Sequence, residues 1–139
     1  MGYIEKISFQ GLRIKDSSIV LDNHIFQVNS SQREYTIGRA SDCDMQISFP
    51  YSNAFGISRH HCVLVNEEDG VYLRDDSSSK GTFIDGRRLM QGELAALTQN
   101  SLVGLGEVCK YRVRLEKDES WKRNGNCGLL GRIRKLLKV

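Results

Sequence analysis

The apolar residues of this chain recur with a period of two. IEKISF, SSIVLD, HIFQV, REYTI, MQISF, HHCVLV, GVYLRD, GTFI and KYRVRL are short runs rich in valine, isoleucine, phenylalanine and tyrosine, separated by glycine, asparagine, aspartate and serine. Successive side chains of an extended segment face opposite ways, so each run can bury one face and solvate the other, as strands do. VLVNEEDGVYLRD reads as a hairpin closed by Glu67 to Gly70. GTFIDGRRL reads as a tighter one, in which Asp85-Gly86 supplies the positive-φ pair of a two-residue turn. Before Trp121 no segment offers a long amphipathic helix, although LMQGELAALTQNS fits a turn of helix as well as a strand and loop. So many strands joined by short turns predict an all-β sandwich or barrel.

Composition bounds the chain without naming its work. At 139 residues, 40% hydrophobic and 27% charged, it has the length and core content of one folded domain and lacks the signature of a disordered chain. No apolar run approaches the roughly 20 residues of a membrane-spanning helix, and MGYIEKISFQ lacks a signal-peptide pattern, so the expected location is cytoplasmic. The net charge of +3 divides unevenly. Residues 1–118 carry 14 Lys and Arg against 16 Asp and Glu, whereas residues 119–139 carry 6 against 1. The chain therefore reads as a domain over 1–118, with an N-terminal strand extension, followed by a basic tail over 119–139; the boundary falls between Glu116 and Asn126. In LLGRIRKLLKV, Leu129, Leu130, Ile133, Leu136 and Leu137 share one face of a short helix. Residues 128–139 are thus a candidate for contact with anionic lipid, against the plainer reading of a stripe docked on protein. Nucleic-acid binding is disfavoured, because only the tail is basic and no aromatic residues interleave with the basic ones.

Cys43, Cys62, Cys109 and Cys127 show no C-x-x-C pairing, so no metal site and no bound cofactor are expected, and the thiols read as reduced. The apolar neighbours of Cys62 and Cys109 predict burial. His60 and His61 are adjacent, so on a strand they face opposite ways, cannot chelate one ion together, and at most one is buried.

Three loops hold the residues that suit an anion. Thr36-Ile37-Gly38-Arg39-Ala40-Ser41 places an arginine at the end of an apolar strand. Gly56-Ile57-Ser58-Arg59-His60-His61 leads into a strand, and Asp76-Ser77-Ser78-Ser79-Lys80-Gly81-Thr82 is a hydroxyl-rich connection between two strands. A phosphate group needs a guanidinium fork together with hydroxyl and backbone N–H donors. Singly, each loop is as readily a turn with a solvated charge; their order is what carries information.

That order, Gly38-Arg39, then Ser58-Arg59-His60-His61, then Ser78-Ser79-Lys80-Gly81-Thr82-Phe83-Ile84-Asp85-Gly86, resembles the forkhead-associated (FHA) domain, whose motifs run G-R, S-x-x-H and S-x-N-G-T-x-hydrophobic-N-G. The last strands, Ser101 to Leu105 and KYRVRL, fit as well, and the resemblance covers roughly residues 20–116. It implies an antiparallel β-sandwich of about eleven strands that binds phosphothreonine on a partner protein through loops at one end, in signalling or regulated assembly, and is not an enzyme. By motif position Arg39 would fork onto the phosphate, the hydroxyl and backbone of Ser58 would donate to it, and Ser79 would contact it. Arg59 would reach the phosphate or the peptide backbone. His61 would hold the loops in shape, with Gly38, Gly81 and Gly86 serving backbone geometry. Lys80 stands where the family has an asparagine that bonds the peptide main chain, and lysine has donors but no acceptor. Gly56 and Ile57 put no charge just before Ser58, so an acidic preference at the third peptide position after the phosphothreonine finds no support there.

Lys80 also favours a competing reading, a phosphate-independent interaction module, attached to a surface through the tail. Catalysis has little support, since Ser58 near His61 lacks an evident orienting carboxylate. The sequence carries no reading of oligomeric state. The only threonines, Thr36, Thr82 and Thr98, lie inside the expected domain, so the tail offers no phosphothreonine of its own.

Overall fold

The computed structural model describes residues 4–28, 31–49 and 52–117. The tail at 119–139, its candidate lipid contact, Cys127 and the expected boundary beyond Lys117 lie outside them. Eleven strands are found among the described residues, in two sheets. They are β1 (Ile4–Gly11), β2 (His24–Gln27), β3 (Glu34–Gly38), β4 (Met45–Gln46), β5 (Cys62–Glu67), β6 (Gly70–Asp75), β7 (Thr82–Ile84), β8 (Arg87–Arg88), β9 (Ala95–Ala96), β10 (Leu102–Leu105) and β11 (Cys109–Lys117). One sheet runs β2-β1-β11-β10-β7-β8 and the other β4-β3-β5-β6-β9. All pairings are antiparallel except β3 with β4.

Period two becomes burial directly in β6, where Val71, Leu73 and Asp75 face inward and their neighbours are partly exposed. Both expected hairpins form. Glu67 pairs with Gly70, and Asp85 and Gly86 take φ of 51° and 86° between β7 and β8. A run of rings stitches the sheets together: Tyr111 meets Phe9, Phe9 meets Phe26, and Phe26 meets Tyr35, each edge-on at centroid distances of 6.3, 5.9 and 5.4 Å. Burial of each large side chain stabilises by about 1.5–3 kcal/mol, before the contribution of these ring contacts.

One expectation is corrected and one alternative is decided. SSIVLD is not a strand; Asp16 turns the chain with φ 61°, the Ile14 amide bonds the Ile19 carbonyl at 2.8 Å, and only an isolated Arg13–Val20 bridge follows. The turn needs those residues for a local loop, so the apolar run packs Leu21 inward and leaves Val20 60% exposed. LMQGELAALTQNS takes the strand-and-loop reading of its two: it forms β9, with Ala95 and Leu97 buried and Ala96 out.

Register gathers the three anion-suited loops. Ile37 pairs with Cys62, and Cys62 pairs with Asp75, so the end of β3, the start of β5 and the end of β6 lie side by side at one edge of their sheet. The chain leaves β3 and β6 into two of those loops and enters β5 from the third.

Candidate functional site

His61 organises this end of the sandwich. It is fully buried, whereas His60 is exposed. Its Nδ1 accepts the backbone N–H of Ser58 at 3.0 Å, and its Nε2 lies 2.8 Å from the carbonyl of Gly81. An amide N–H can only donate and a carbonyl can only accept, so the ring is neutral with its proton on Nε2. Burial, opposed by the Gly81 carbonyl and Asp75, holds its pKa below the ordinary histidine value. The Gly81 carbonyl also accepts the Gly106 amide at 2.8 Å. One ring thus ties the loop before β5 to the loop before β7.

The first loop is strapped to the second by backbone. Arg39 N–H donates to Ser58 O at 3.1 Å and Ala40 N–H to Arg59 O at 3.0 Å. The approach is so close that a Cβ on Gly38 would overlap the Arg59 carbonyl oxygen, which is why glycine precedes the arginine. Arg39 then donates Nε–H to Ile57 O at 3.0 Å, which sets the guanidinium plane and leaves its two terminal nitrogens as a fork. Ser58 Oγ accepts the Ser79 amide at 3.2 Å and lies 3.4 Å from Ser79 Oγ. Two hydroxyls from two loops are thus side by side, and the guanidinium from the third loop is anchored on Ile57, the residue before Ser58. The Ser58 amide, expected to serve the ligand, is instead committed to His61, so the hydroxyl is what Ser58 has left to offer.

The third loop is shaped from beneath by a residue that the motif reading missed. Asp75, 6% exposed, accepts the hydroxyls of Ser78 and, at 2.6 Å, Thr82 through the same Oδ1. An aspartate closing a strand, with hydroxyls three and seven residues later, is equally the pattern of an ordinary turn, so burial is what singles Asp75 out. Gly81 follows with φ 87°. Lys80 and Arg59 are exposed, and the stem of Lys80 lies against Gly56, itself at φ 100°. Beside Lys80 a depression of about 320 Å³ is lined by Ala54, Phe55, Gly56, Glu107 and Val108. Gly86 sits at the far tip of the β7–β8 hairpin, where its positive φ completes the turn.

Metal-capable donors among the described residues gather at Asp42, Cys43 and His60, within 4.8 Å of one another. Each already has a partner. His60 Nε2 is 2.9 Å from the Asp42 carboxylate and the Cys43 thiol donates to Arg59 O at 3.2 Å. Burial pushes the Cys43 thiol up, away from the thiolate a metal needs. The group braces the Arg59 turn.

Set on a two-sheet sandwich with its loops gathered at one end, the site defines a protein of the loop-binding β-sandwich class. A family model described as FHA domain matches residues 35–106, and the chain belongs to that family. Over 99 residues it is 33% identical to the E3 ubiquitin-protein ligase CHFR of Pongo abelii, covering 70% of this chain and 15% of the ligase. Over 86 residues it is 35% identical to nibrin of Danio rerio, covering 62% and 10%. The chain thus spans a small part of these relatives. Among solved structures, the FHA domain of an Arabidopsis thaliana hypothetical protein superposes with a TM-score of 0.64 at 18% identity, covering 83% of this chain and 90% of that one. A structure from work on phosphothreonine-dependent FHA domain interactions superposes at 0.57 and 20%, covering 80% and 97%. At these identities the likeness is one of fold.

Proposed function

We propose that this chain recognises phosphothreonine on a partner protein through the loops at the ends of β3 and β6 and the start of β5. The observation that carries the proposal is the adjacency of the Ser58 and Ser79 hydroxyls beside an arginine anchored on Ile57, with His61 tying their two loops together. A phosphate brings about −1.5 to −2 charges and three acceptor oxygens, which suit a positive fork flanked by hydroxyl donors. Arg59 and Lys80 rim the same place and add attraction. Family membership and the solved FHA domain studied for phosphothreonine dependence support the same reading. The work of the site is recognition. Both nitrogens of His61 are occupied by Ser58 N–H and Gly81 O, so neither is left to take a proton from the Ser58 hydroxyl.

The test is calorimetric titration with matched peptides differing only in phosphorylation of one threonine. Charge-assisted hydrogen bonds contribute about 1.5–3 kcal/mol each, so Arg39→Ala or Ser58→Ala should weaken binding by tenfold or more with the fold intact. Wild-type binding that ignores phosphorylation would establish the second reading instead, a phosphate-independent module, which Lys80 at the asparagine position favours.

A further inference from the structure

The β7–β8 hairpin carries two adjacent arginines in different surroundings. Arg87 is paired with Glu93, Nη2 to Oε2, at 2.7 Å. The next side chain on a strand faces the other way. Arg88 accordingly folds back over Gly81, where an added Cβ would meet its Nε at 2.5 Å, its Cζ at 2.9 Å and its Nη2 at 3.1 Å. Arg88 and Lys80 are both exposed, and neither forms a salt bridge among the described residues. Of the acidic groups around them, Asp75 is committed to Ser78 and Thr82, and Glu107 shares only the rim of the depression with Lys80. Lys80 precedes Gly81 in the chain and Arg88 lies over it, so two cations without an ion-pair partner raise a local positive potential at this rim.

We propose that Arg88, helped by Lys80, binds a second anionic group of the partner, either an acidic side chain or a second phosphate, close to the phosphorylated residue. The proposal rests on the phosphothreonine reading above. Reach sets the spacing. Ser79 and Gly81 are two residues apart, a span of at most about 7 Å, and the guanidinium touches Gly81. In an extended peptide rising about 3.3 Å per residue, the second anion then falls within about three residues of the phosphothreonine. The charge that Gly56 and Ile57 do not provide is thus provided by a strand of the opposite sheet.

The experiment is an array of phosphothreonine peptides on an alanine–glutamine background. Each carries glutamine, aspartate, glutamate or a second phosphothreonine at one of the three positions on either side of the first, and wild-type protein is compared with Arg88→Gln. We expect the wild type to select an anion at one or two of those positions by about fivefold, the scale of an exposed ion pair. Arg88→Gln should lose that selection while still requiring the first phosphate. The aspartate, glutamate and phosphothreonine arms separate the two sources of charge. For the wild type alone, raising salt from about 0.1 M to about 1 M, which shortens the screening length from about 10 Å to about 3 Å, should shrink the selection. No anion selection by the wild type, or selection unchanged in Arg88→Gln or by salt, overturns the assignment to Arg88 and leaves the phosphothreonine reading standing. Binding indifferent to the first phosphate overturns that reading itself.

Discussion

The buried Nε2 of His61 donates to the carbonyl of Gly81 at 2.8 Å while the other nitrogen of the same ring is held by Ser58. Protonation would put a hydrogen on Nδ1 facing the Ser58 N–H, donor against donor. Burial is the first cause of the lowered pKa, so the unfolded chain takes up the proton more readily than the folded one. Stability from this ring is fully present above the ordinary value of 6.5 and is lost as pH falls below it. The unfolding free energy should therefore fall as pH drops below about 6.5, by no more than about 1.4 kcal/mol per pH unit. His24 is also lowered by burial and adds a slope of the same sign. The deciding comparison is therefore His61→Gln, whose amide offers one acceptor and one donor at every pH. Urea titrations of that variant should show a flatter pH dependence; a slope equal to the wild type's would remove His61 as its source.

Asp75 holds the third loop by accepting two hydroxyls at the end of β6. Asp75→Ala leaves Thr82, which has no solvent exposure, without that acceptor and frees Ser78. The expected cost is about 3 kcal/mol, with Asp75→Asn milder because one acceptor oxygen remains. Ser79 lies one residue beyond Ser78, so phosphopeptide affinity should fall as well. Chemical denaturation gives the first quantity and calorimetry at a temperature where the variant is folded gives the second. Unchanged affinity in folded Asp75→Ala would show that Ser79 is positioned by Ser58 alone.

How far the sequence announced all this depends on the kind of interaction. Alternation announced β6, because its inward residues are buried by the opposite sheet, and Asp85-Gly86 announced its hairpin because few residues accept two consecutive positive φ values. SSIVLD carries three consecutive strand-favouring residues, Ile19, Val20 and Leu21, yet it became a loop: so short a run cannot say whether a sheet edge is available to pair with it. Arg39, Ser58, Ser79 and His61 were legible as a set because their loops come in a fixed order, and register brings those loops together. Asp75 and Arg88 were not. An aspartate at a strand end and an arginine after a turn are ordinary surface residues in one dimension, and only burial of the first and the fold of the second over Gly81 set them apart. The commitment of the Ser58 amide to His61 was equally invisible, since it depends on which ring nitrogen faces the turn.

Tyr111 sits in the ring stack with its hydroxyl buried and without a hydrogen-bond partner among the described residues, and burial pushes its pKa up. A buried hydroxyl left unpaired costs about 1–3 kcal/mol relative to one that is satisfied. Tyr111→Phe keeps the ring and its edge-on contact with Phe9 and removes the polar atom. The unfolding midpoint should stay level or rise, with a gain up to about 1 kcal/mol, whereas most core substitutions destabilise. A loss above about 1 kcal/mol in urea titration would mean that the hydroxyl makes a favourable bond in solution.

Lys80 is the departure from the family pattern most open to direct reversal. The family's asparagine offers both an acceptor and donors to the peptide main chain, and lysine offers only donors and charge. Its stem lies against Gly56, leaving the ammonium at the rim beside the 320 Å³ depression. Lys80→Asn therefore exchanges a field for a pair of directed bonds. A neutral hydrogen bond contributes about 0.5–1.5 kcal/mol net, or roughly twofold to tenfold in affinity. At high salt, where the lysine's attraction is screened, Lys80→Asn should bind a singly phosphorylated, otherwise uncharged peptide more tightly than the wild type within that range. At low salt the advantage should narrow, because the wild type then regains its charge. Equal affinities at high salt would mean that the peptide main chain does not pass within reach of residue 80, and that this domain holds its ligand by phosphate and flanking charge.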